Sequence, residues 1–278
     1  MIIHLSSMML EDIEINLLLE GIYRYYGFDF RNYSRVSITR RIWHIAYIEG
    51  VKSISALQDK VLHDRECMKR FLLNVSVNVT SMFRDPSFYL ALRSSVIPIL
   101  RTYPFIRIWH AGCSSGEEVY SMAILLQEEG LYHRCRLYAT DINERVLSQA
   151  KAGIFPLKFM QGYTQNYLQA GGKKSFSEYY LVADNYATFN TSLRENMIFS
   201  LHNLVSDNSF NEFNVIICRN VLIYFDKTLQ TRVHKLFYES LTKFGILTLG
   251  KQESIGFSDY ESKYKSLDKT EKIYRRID

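Results

Sequence analysis

Arg107-Ile108-Trp109-His110-Ala111-Gly112-Cys113-Ser114-Ser115-Gly116-Glu117-Glu118 decides the fold of this chain. Ile108 and Trp109 are strand formers. Gly112 and Gly116 allow the backbone to come close to a ligand, where any larger side chain would collide. From there Val119, Met122, Ala123 and Leu126 recur at helical spacing. A strand that runs through a glycine turn into a helix is the unit from which doubly wound α/β sheets build nucleotide sites. The two glycines stand four apart and two glutamates follow. This matches neither the G-x-G-x-x-G dinucleotide fingerprint nor the phosphate loop.

The glutamates indicate the ligand's charge. A helix start carrying Glu117 and Glu118 repels a pyrophosphate and favours a cation. S-adenosylmethionine, with an ammonium, a sulfonium and no phosphate, has the required charge. Leu137-Tyr138-Ala139-Thr140-Asp141 reads as the next strand and ends in an acid suited to a ribose diol, about 20 residues past the glycine turn. Val215-Ile216-Ile217-Cys218 reads as a third strand, ending at Arg219-Asn220. Ligands bind at the carboxyl edge of such a sheet. Order and spacing together predict an α/β class I S-adenosylmethionine-dependent methyltransferase (Rossmann-like) fold.

Length and composition set the rest of the frame. The 278 residues suffice for one α/β domain and a small helical one. A hydrophobic content of 47% with 23% charged residues is that of a globular protein. No apolar run reaches the roughly 18 residues of a membrane span. Glu11, Asp12 and Glu14, with no basic leader, argue against a secretory signal. Cys67, Cys113, Cys135 and Cys218 lack metal-ligand spacing and are expected to be reduced thiols in a cytoplasmic monomer. The formal net charge of +5 suits an acidic partner. No dense basic-aromatic stripe or recognition motif points to nucleic acid.

Residues 1 to about 80 read as a helical N-terminal domain. Helices are expected over about 9–26, around an Ile38, Ile42, Ile45 seam, and over about 53–62 and 66–73. Arg24, Arg31, Arg35, Arg40 and Arg41 are expected to be exposed, either as solvated surface or as a docking face, with Arg41 at the flank of the second helix. Residues 81–278 read as the catalytic domain. Within it, about 153–201 interrupts the alternation of strand and helix with short segments such as Tyr179-Tyr180-Leu181-Val182 and Tyr186-Ala187-Thr188-Phe189. A small antiparallel β-subdomain is predicted there, either as a docking edge or as an ornament over the pocket. Residues 245–250 read as a late strand and 266–277 as a closing antiparallel segment.

The chain resembles the CheR family, methyltransferases that esterify glutamates of bacterial chemotaxis receptors. The resemblance rests on Asn78-Val79-Thr80-Ser81-Met82-Phe83-Arg84-Asp85, on Ile108 through Tyr120, and on Ala139-Thr140-Asp141-Ile142. It continues through Cys218-Arg219-Asn220-Val221-Leu222-Ile223-Tyr224-Phe225, Gly250 to Ser254, and Ile273-Tyr274-Arg275-Arg276. These pieces cover the chain nearly end to end. The Asn-x-Thr-x-x-x-Arg and Arg-Asn-Val-Leu-Ile-Tyr-Phe pieces are family-specific, whereas many methyltransferases share the glycine turn.

The resemblance implies methyl transfer from S-adenosylmethionine to receptor glutamates, leaving S-adenosylhomocysteine. It implies cofactor contacts from Asn78, Thr80, Arg84, Glu117, Asp141, Asn203, Leu204, Asn220 and Val221, and catalytic roles for Arg84 and Tyr224. Plainer roles stand beside these. Asn78 and Thr80 can cap a helix, Arg84 can pair with Asp85, and Glu117 can be ordinary helix-start charge. Asp141 can be a helix cap, Asn203 a loop asparagine, and Leu204, Val221 and Tyr224 core packing. His110 and His202 read as structural. The partners implied are the cytoplasmic helical bundle of chemoreceptors and a receptor tail peptide at the β-subdomain.

Small departures from the family pattern are Ser115 for threonine, Val119 for proline, Lys251-Gln252 before Glu253, and His44-Ile45 where a second basic pair is common. Two other functions compete. One is a CheR-like module that binds cofactor with little turnover, and the other a small-molecule carboxyl methyltransferase. The helical domain and the insertion favour a macromolecular acceptor, because a small acid needs neither.

Overall fold

The computed structural model describes residues 2–75, 80–256 and 258–278, with side chains from residue 9 onward. Two compact units form, Met1–Val77 with Ile223–Arg232, and Asn78–Leu222 with Val233–Asp278.

The first unit holds α1 (Ile2–Tyr26), α2 (Arg35–Ile48), α3 (Ile54–His63) and α4 (Arg65–Val75). Ile15, Leu18, Leu19 and Ile22 of α1 are buried at helical spacing, as is the predicted Ile38, Ile42, Ile45 seam of α2. Ser53 caps α3, its hydroxyl accepting from the Ala56 N–H at 3.1 Å.

The expected row of exposed arginines is corrected at one position and qualified at three. Arg41 is buried, with its guanidinium 4.5 Å from the ring centroid of Tyr224 and bonded to the Val75 carbonyl. It stacks on the aromatic face because position 41 adjoins the Ile38–Ile42–Ile45 seam rather than the solvent side. Arg24, Arg31 and Arg35 form ion pairs with Glu20, Asp29 and Asp12.

The second unit is built on a seven-stranded sheet. Its strands are β1 (Ile106–Ala111), β2 (Cys135–Asp141), β6 (Met197–Leu201), β7 (Phe213–Cys218), β8 (Leu241–Leu249), β9 (Tyr264–Asp268) and β10 (Ile273–Arg276), in the order β6-β2-β1-β7-β8-β10-β9. The first five strands of that order are parallel, and β10 and β9 close the sheet antiparallel. Central strands of a parallel sheet are covered on both faces, so β1 and β7 are buried almost throughout.

Short helices α5 (Pro86–Ala91) and α6 (Ile97–Leu100) precede β1, and α7 (Glu117–Glu128) follows it. Val119 to Leu126 of α7 are all buried, polar Ser121 included, which marks a core helix. α8 (Glu144–Ala152) follows β2, and α10 (Lys227–Ser240) precedes β8.

The insertion is shorter than the predicted 153–201. Its three-stranded sheet comprises β3 (Ile154–Pro156), β4 (Tyr180–Ala183) and β5 (Tyr186–Phe189) in the order β3-β5-β4, with α9 (Met160–Gln169) between β3 and β4. Met197–Leu201 instead pairs in parallel with β2 as an edge strand of the main sheet. Its sequence, Met-Ile-Phe-Ser-Leu, is that of a half-exposed edge, and pairing alone decides which sheet it joins. No helix among the described residues is long and apolar enough to cross a membrane.

Candidate active site

Strand order reverses between β1 and β7, so a crevice opens at the carboxyl ends of the parallel strands. The turn after β1 forms its floor. The Gly112 and Cys113 amides both donate to the Thr140 carbonyl at 2.9 Å, and the Ser114 amide donates to the Asp141 carboxylate at 2.9 Å. Gly112 has φ +79°, and a Cβ there would lie 2.6 Å from a Val221 methyl. The glycine is therefore required both by its left-handed backbone and by the close approach of the β7 loop. At Gly116 a Cβ would meet Ala150 of α8 at 2.8 Å.

The two glutamates at the start of α7 serve different ends. Glu118 accepts a hydrogen bond from His110 Nδ1 at 3.0 Å, and it lies 3.3 Å from Arg219. Burial works to raise its carboxyl, but the His110 hydrogen bond and the Arg219 charge outweigh burial and leave it below the usual range. Glu117 is also buried, yet its partners are hydroxyls. Ser115 donates to one oxygen at 2.8 Å and Tyr163 of α9 to the other at 3.4 Å. No cationic side chain among the described residues is paired with it, and burial pushes its carboxyl up. The charge argument drawn from two glutamates therefore rests on Glu117 alone. A buried anion without a counter-charge is costly and fits an ammonium ligand.

Asp141 is buried at the end of β2, and its pKa is raised by burial against the pull of the Asn143, Ser114 and Ile142 amides. It is not the cap of α8. That place belongs to Asn143, whose side chain accepts from the Arg145 amide at 3.1 Å.

Arg84 is half-buried on a turn where Phe83 and Asp85 both have positive φ. Asp85 receives the Arg219 guanidinium at 2.7 Å. Arg219 also donates to the Arg84 carbonyl at 3.3 Å and lies over the Phe88 ring. After β7, Asn220 takes a left-handed conformation with φ +62°. The Glu253 carboxylate accepts from the backbone amides of Asn220, Val221, Leu222 and Gly250 at 2.6–3.0 Å, clamping that loop to the one after β8. Beyond β6, the Asn203 side-chain oxygen accepts from the Val205 amide at 2.9 Å, and Leu204 is buried.

A model described as "CheR methyltransferase, SAM binding domain" matches residues 78–273, and one described as "CheR methyltransferase, all-alpha domain" matches 13–76. The chain belongs to the CheR methyltransferase family. Its cofactor is S-adenosylmethionine, and it is an S-adenosylmethionine-dependent methyltransferase. "Putative methyltransferase Cher3" of Pseudomonas putida is 50% identical over 265 residues, covering 95% of this chain and 97% of the relative. A "Chemotaxis protein methyltransferase" of Listeria monocytogenes is 27% identical over 251 residues, 89% of this chain and 93% of its own. One of Salmonella typhimurium is 30% identical over 188 residues, 66% and 63% of the two chains.

Of the CheR residues expected at the site, Thr80, Arg84, Glu117, Asp141, Asn203, Leu204, Asn220 and Val221 all belong to the second unit. Glu117, Asp141, Asn220 and Val221 stand around the crevice turn. Tyr224 belongs to the segment grouped with the helical unit, where its ring lies against Arg41. Asn78 lies outside the described residues. Sequence reasoning missed four roles: Asp85 as the partner of Arg219, and those of Arg219, Glu253 and Tyr163. The first three stand inside family-like motifs, so their presence was visible while their contacts were not. Nothing in the sequence distinguishes Tyr163 from other tyrosines. His110 and His202 act structurally, one on Glu118 and the other on the Asn208 carbonyl.

Proposed function

We propose that this CheR-family enzyme methylates side-chain carboxylates of glutamates on chemotaxis receptors. The observation that carries the cofactor half is the buried Glu117 carboxylate, held by the Ser115 and Tyr163 hydroxyls and its own backbone with no cationic partner among the described residues. The acceptor half is supported by the relatives named chemotaxis protein methyltransferases.

The residues fit the cofactor. Glu117 would hold the methionine ammonium and Asp141 the ribose diol. Asn203, Leu204, Asn220 and Val221 would line the adenosine, with Arg84 towards the methionine end; family resemblance adds Thr80 and Asn78 to the cofactor contacts. When bound, S-adenosylmethionine supplies a methyl group activated by its sulfonium. A glutamate side chain, with an unperturbed pKa of about 4.3, is already ionised at neutral pH and needs no general base. The protein's work is then to align and desolvate the acceptor, which at best contributes about 7–11 kcal/mol. The Arg84 guanidinium presents the carboxylate without taking its negative charge, and family resemblance gives the Tyr224 hydroxyl the task of orienting the acceptor oxygen.

Two surfaces suit a receptor. In the helical unit, Val36, Arg40, His44 and Tyr47 of α2 are exposed. In the insertion, β4 is an edge strand with Leu181 and Val182 exposed, a geometry that accepts an added peptide strand.

The test is incubation with tritiated S-adenosylmethionine and receptor cytoplasmic fragments, followed by assay for base-labile label. Label on receptor glutamates that is lost with Arg84→Ala supports the reading. Turnover on free short acids with none on receptor helices sinks it.

A further inference from the structure

The inserted helix α9 touches the crevice at two points on one face. Tyr163 reaches the Glu117 carboxylate at 3.4 Å. Three residues on, the Asn166 side-chain amide donates to the Met82 carbonyl at 3.0 Å and to the Ser81 hydroxyl at 3.3 Å, on the segment that leads into Arg84. Residues spaced three apart share a helix face, so one face of α9 braces both the anion at the start of α7 and the turn before Arg84. Tyr163 is buried, and its ring packs beside Phe159.

From this geometry we infer that Tyr163 is a positioning residue for the amino-acid end of the cofactor, acting through Glu117. The inserted segment is then part of the cofactor site as well as the landing edge proposed for partners. The inference rests on the assignment of Glu117 to the methionine ammonium.

The physical case is one of orientation. A carboxylate that must receive an ammonium has to present one set of lone pairs to the crevice, and two hydroxyl donors fix which set that is. Ser115 fixes one oxygen from the turn and Tyr163 fixes the other from α9. The groups acting on Glu117 are these two hydroxyls and its own backbone, and the Cys113 thiol is within electrostatic reach. Burial first, and then the Glu117 charge, raise the phenol of Tyr163, which therefore remains a donor at neutral pH. The thiol of Cys113 is held neutral, mainly by burial. Removing the Tyr163 hydroxyl leaves Glu117 with one fewer stabilising donor and makes it easier to protonate.

The test compares Tyr163→Phe with the wild-type chain by titration calorimetry, using two ligands. S-adenosylhomocysteine carries the amino-acid end, and 5′-methylthioadenosine lacks it. Tyr163→Phe is expected to weaken S-adenosylhomocysteine roughly three- to tenfold, the range of an ordinary net hydrogen bond, and to leave methylthioadenosine unchanged. Because Glu117 protonates more readily, the acid-side loss of S-adenosylhomocysteine affinity moves to higher pH. In a Glu117→Gln background Tyr163→Phe adds little. Equal weakening of both ligands with an unmoved acid limb would make Tyr163 a packing residue and overturn the inference. Unchanged affinity for both would overturn it as well. If Glu117→Gln itself spares S-adenosylhomocysteine binding, the cofactor assignment fails first, and the two failures are distinguished.

Discussion

Arg219 and Asp85 are joined at 2.7 Å, and the arginine side chain is only 2% exposed. The pair ties the end of β7 to the left-handed turn that carries Arg84. Arg219→Met would leave Asp85 and Glu118 without their cation. The anions left behind are part-exposed and Glu118 keeps His110, so the loss is expected to be about 1–3 kcal/mol. Urea unfolding is expected to show a loss of that order, and Asp85→Asn, at a more exposed position, a smaller one.

Glu117→Gln separates stability from binding. The buried carboxylate is held without a counter-charge, so the neutral amide should stabilise the free protein by about 1 kcal/mol. The same change removes the anion for the ligand ammonium. S-adenosylhomocysteine affinity is expected to fall about 10- to 100-fold, as for a lost charge-assisted hydrogen bond. Thermal unfolding and calorimetry together check both signs, and a variant that is both less stable and equally tight would contradict the assignment.

The pH dependence follows from the same residue. Burial raises Glu117 above its ordinary 4.5. The ammonium needs the ionised form, so S-adenosylhomocysteine affinity is full above the raised value and falls as pH descends through it. The effect on the free fold has the opposite sign. Stability contributed by the protonated group is present below 4.5 and is lost as pH rises through the folded-state value. The ligand-induced rise in melting temperature should therefore shrink on acidification, in a titration of melting temperature against pH.

Gly112→Ala should weaken both stability and cofactor binding, because φ is +79° and a Cβ would stand 2.6 Å from Val221. The strained backbone alone costs about 1 kcal/mol or more. Pairing it with Val221→Ala removes the collision but not the backbone strain, so the double variant is expected to recover part of the melting temperature only.

Glu253→Gln replaces a carboxylate that accepts from four backbone amides, those of Asn220, Val221, Leu222 and Gly250. The new NH2 group faces donors it cannot accept from. Each orphaned amide costs about 1–3 kcal/mol, so a loss of roughly 2–5 kcal/mol is expected in chemical denaturation. Weaker S-adenosylhomocysteine binding should accompany it, since the clamped loop carries Asn220 and Val221.

The sheet was legible because its signals are local. Ile108-Trp109, Leu137-Tyr138 and Val215-Ile216-Ile217 are apolar runs with breakers after them, and they became β1, β2 and β7. The same logic carried the insertion to about 201 and so took in Met197–Leu201, whose polar-apolar mixture fits an edge strand of either sheet and which pairs with β2. It also misread Arg41, because a helix wheel places a residue at the flank of a seam without showing whether an aromatic ring lies there to receive it.

Sequence alone determined the strand–glycine–helix unit, the family and the ligand's charge, since each depends on residues close together in the chain. Only the tertiary structure decided how two adjacent glutamates divide their work. It turned Glu118 towards His110 and Arg219 and left Glu117 to hydroxyls from Ser115 and Tyr163. The physical reason is that a buried carboxylate's charge state is set by partners far away in sequence, here 101 residues between Glu118 and Arg219, and only folding brings those partners within hydrogen-bonding range.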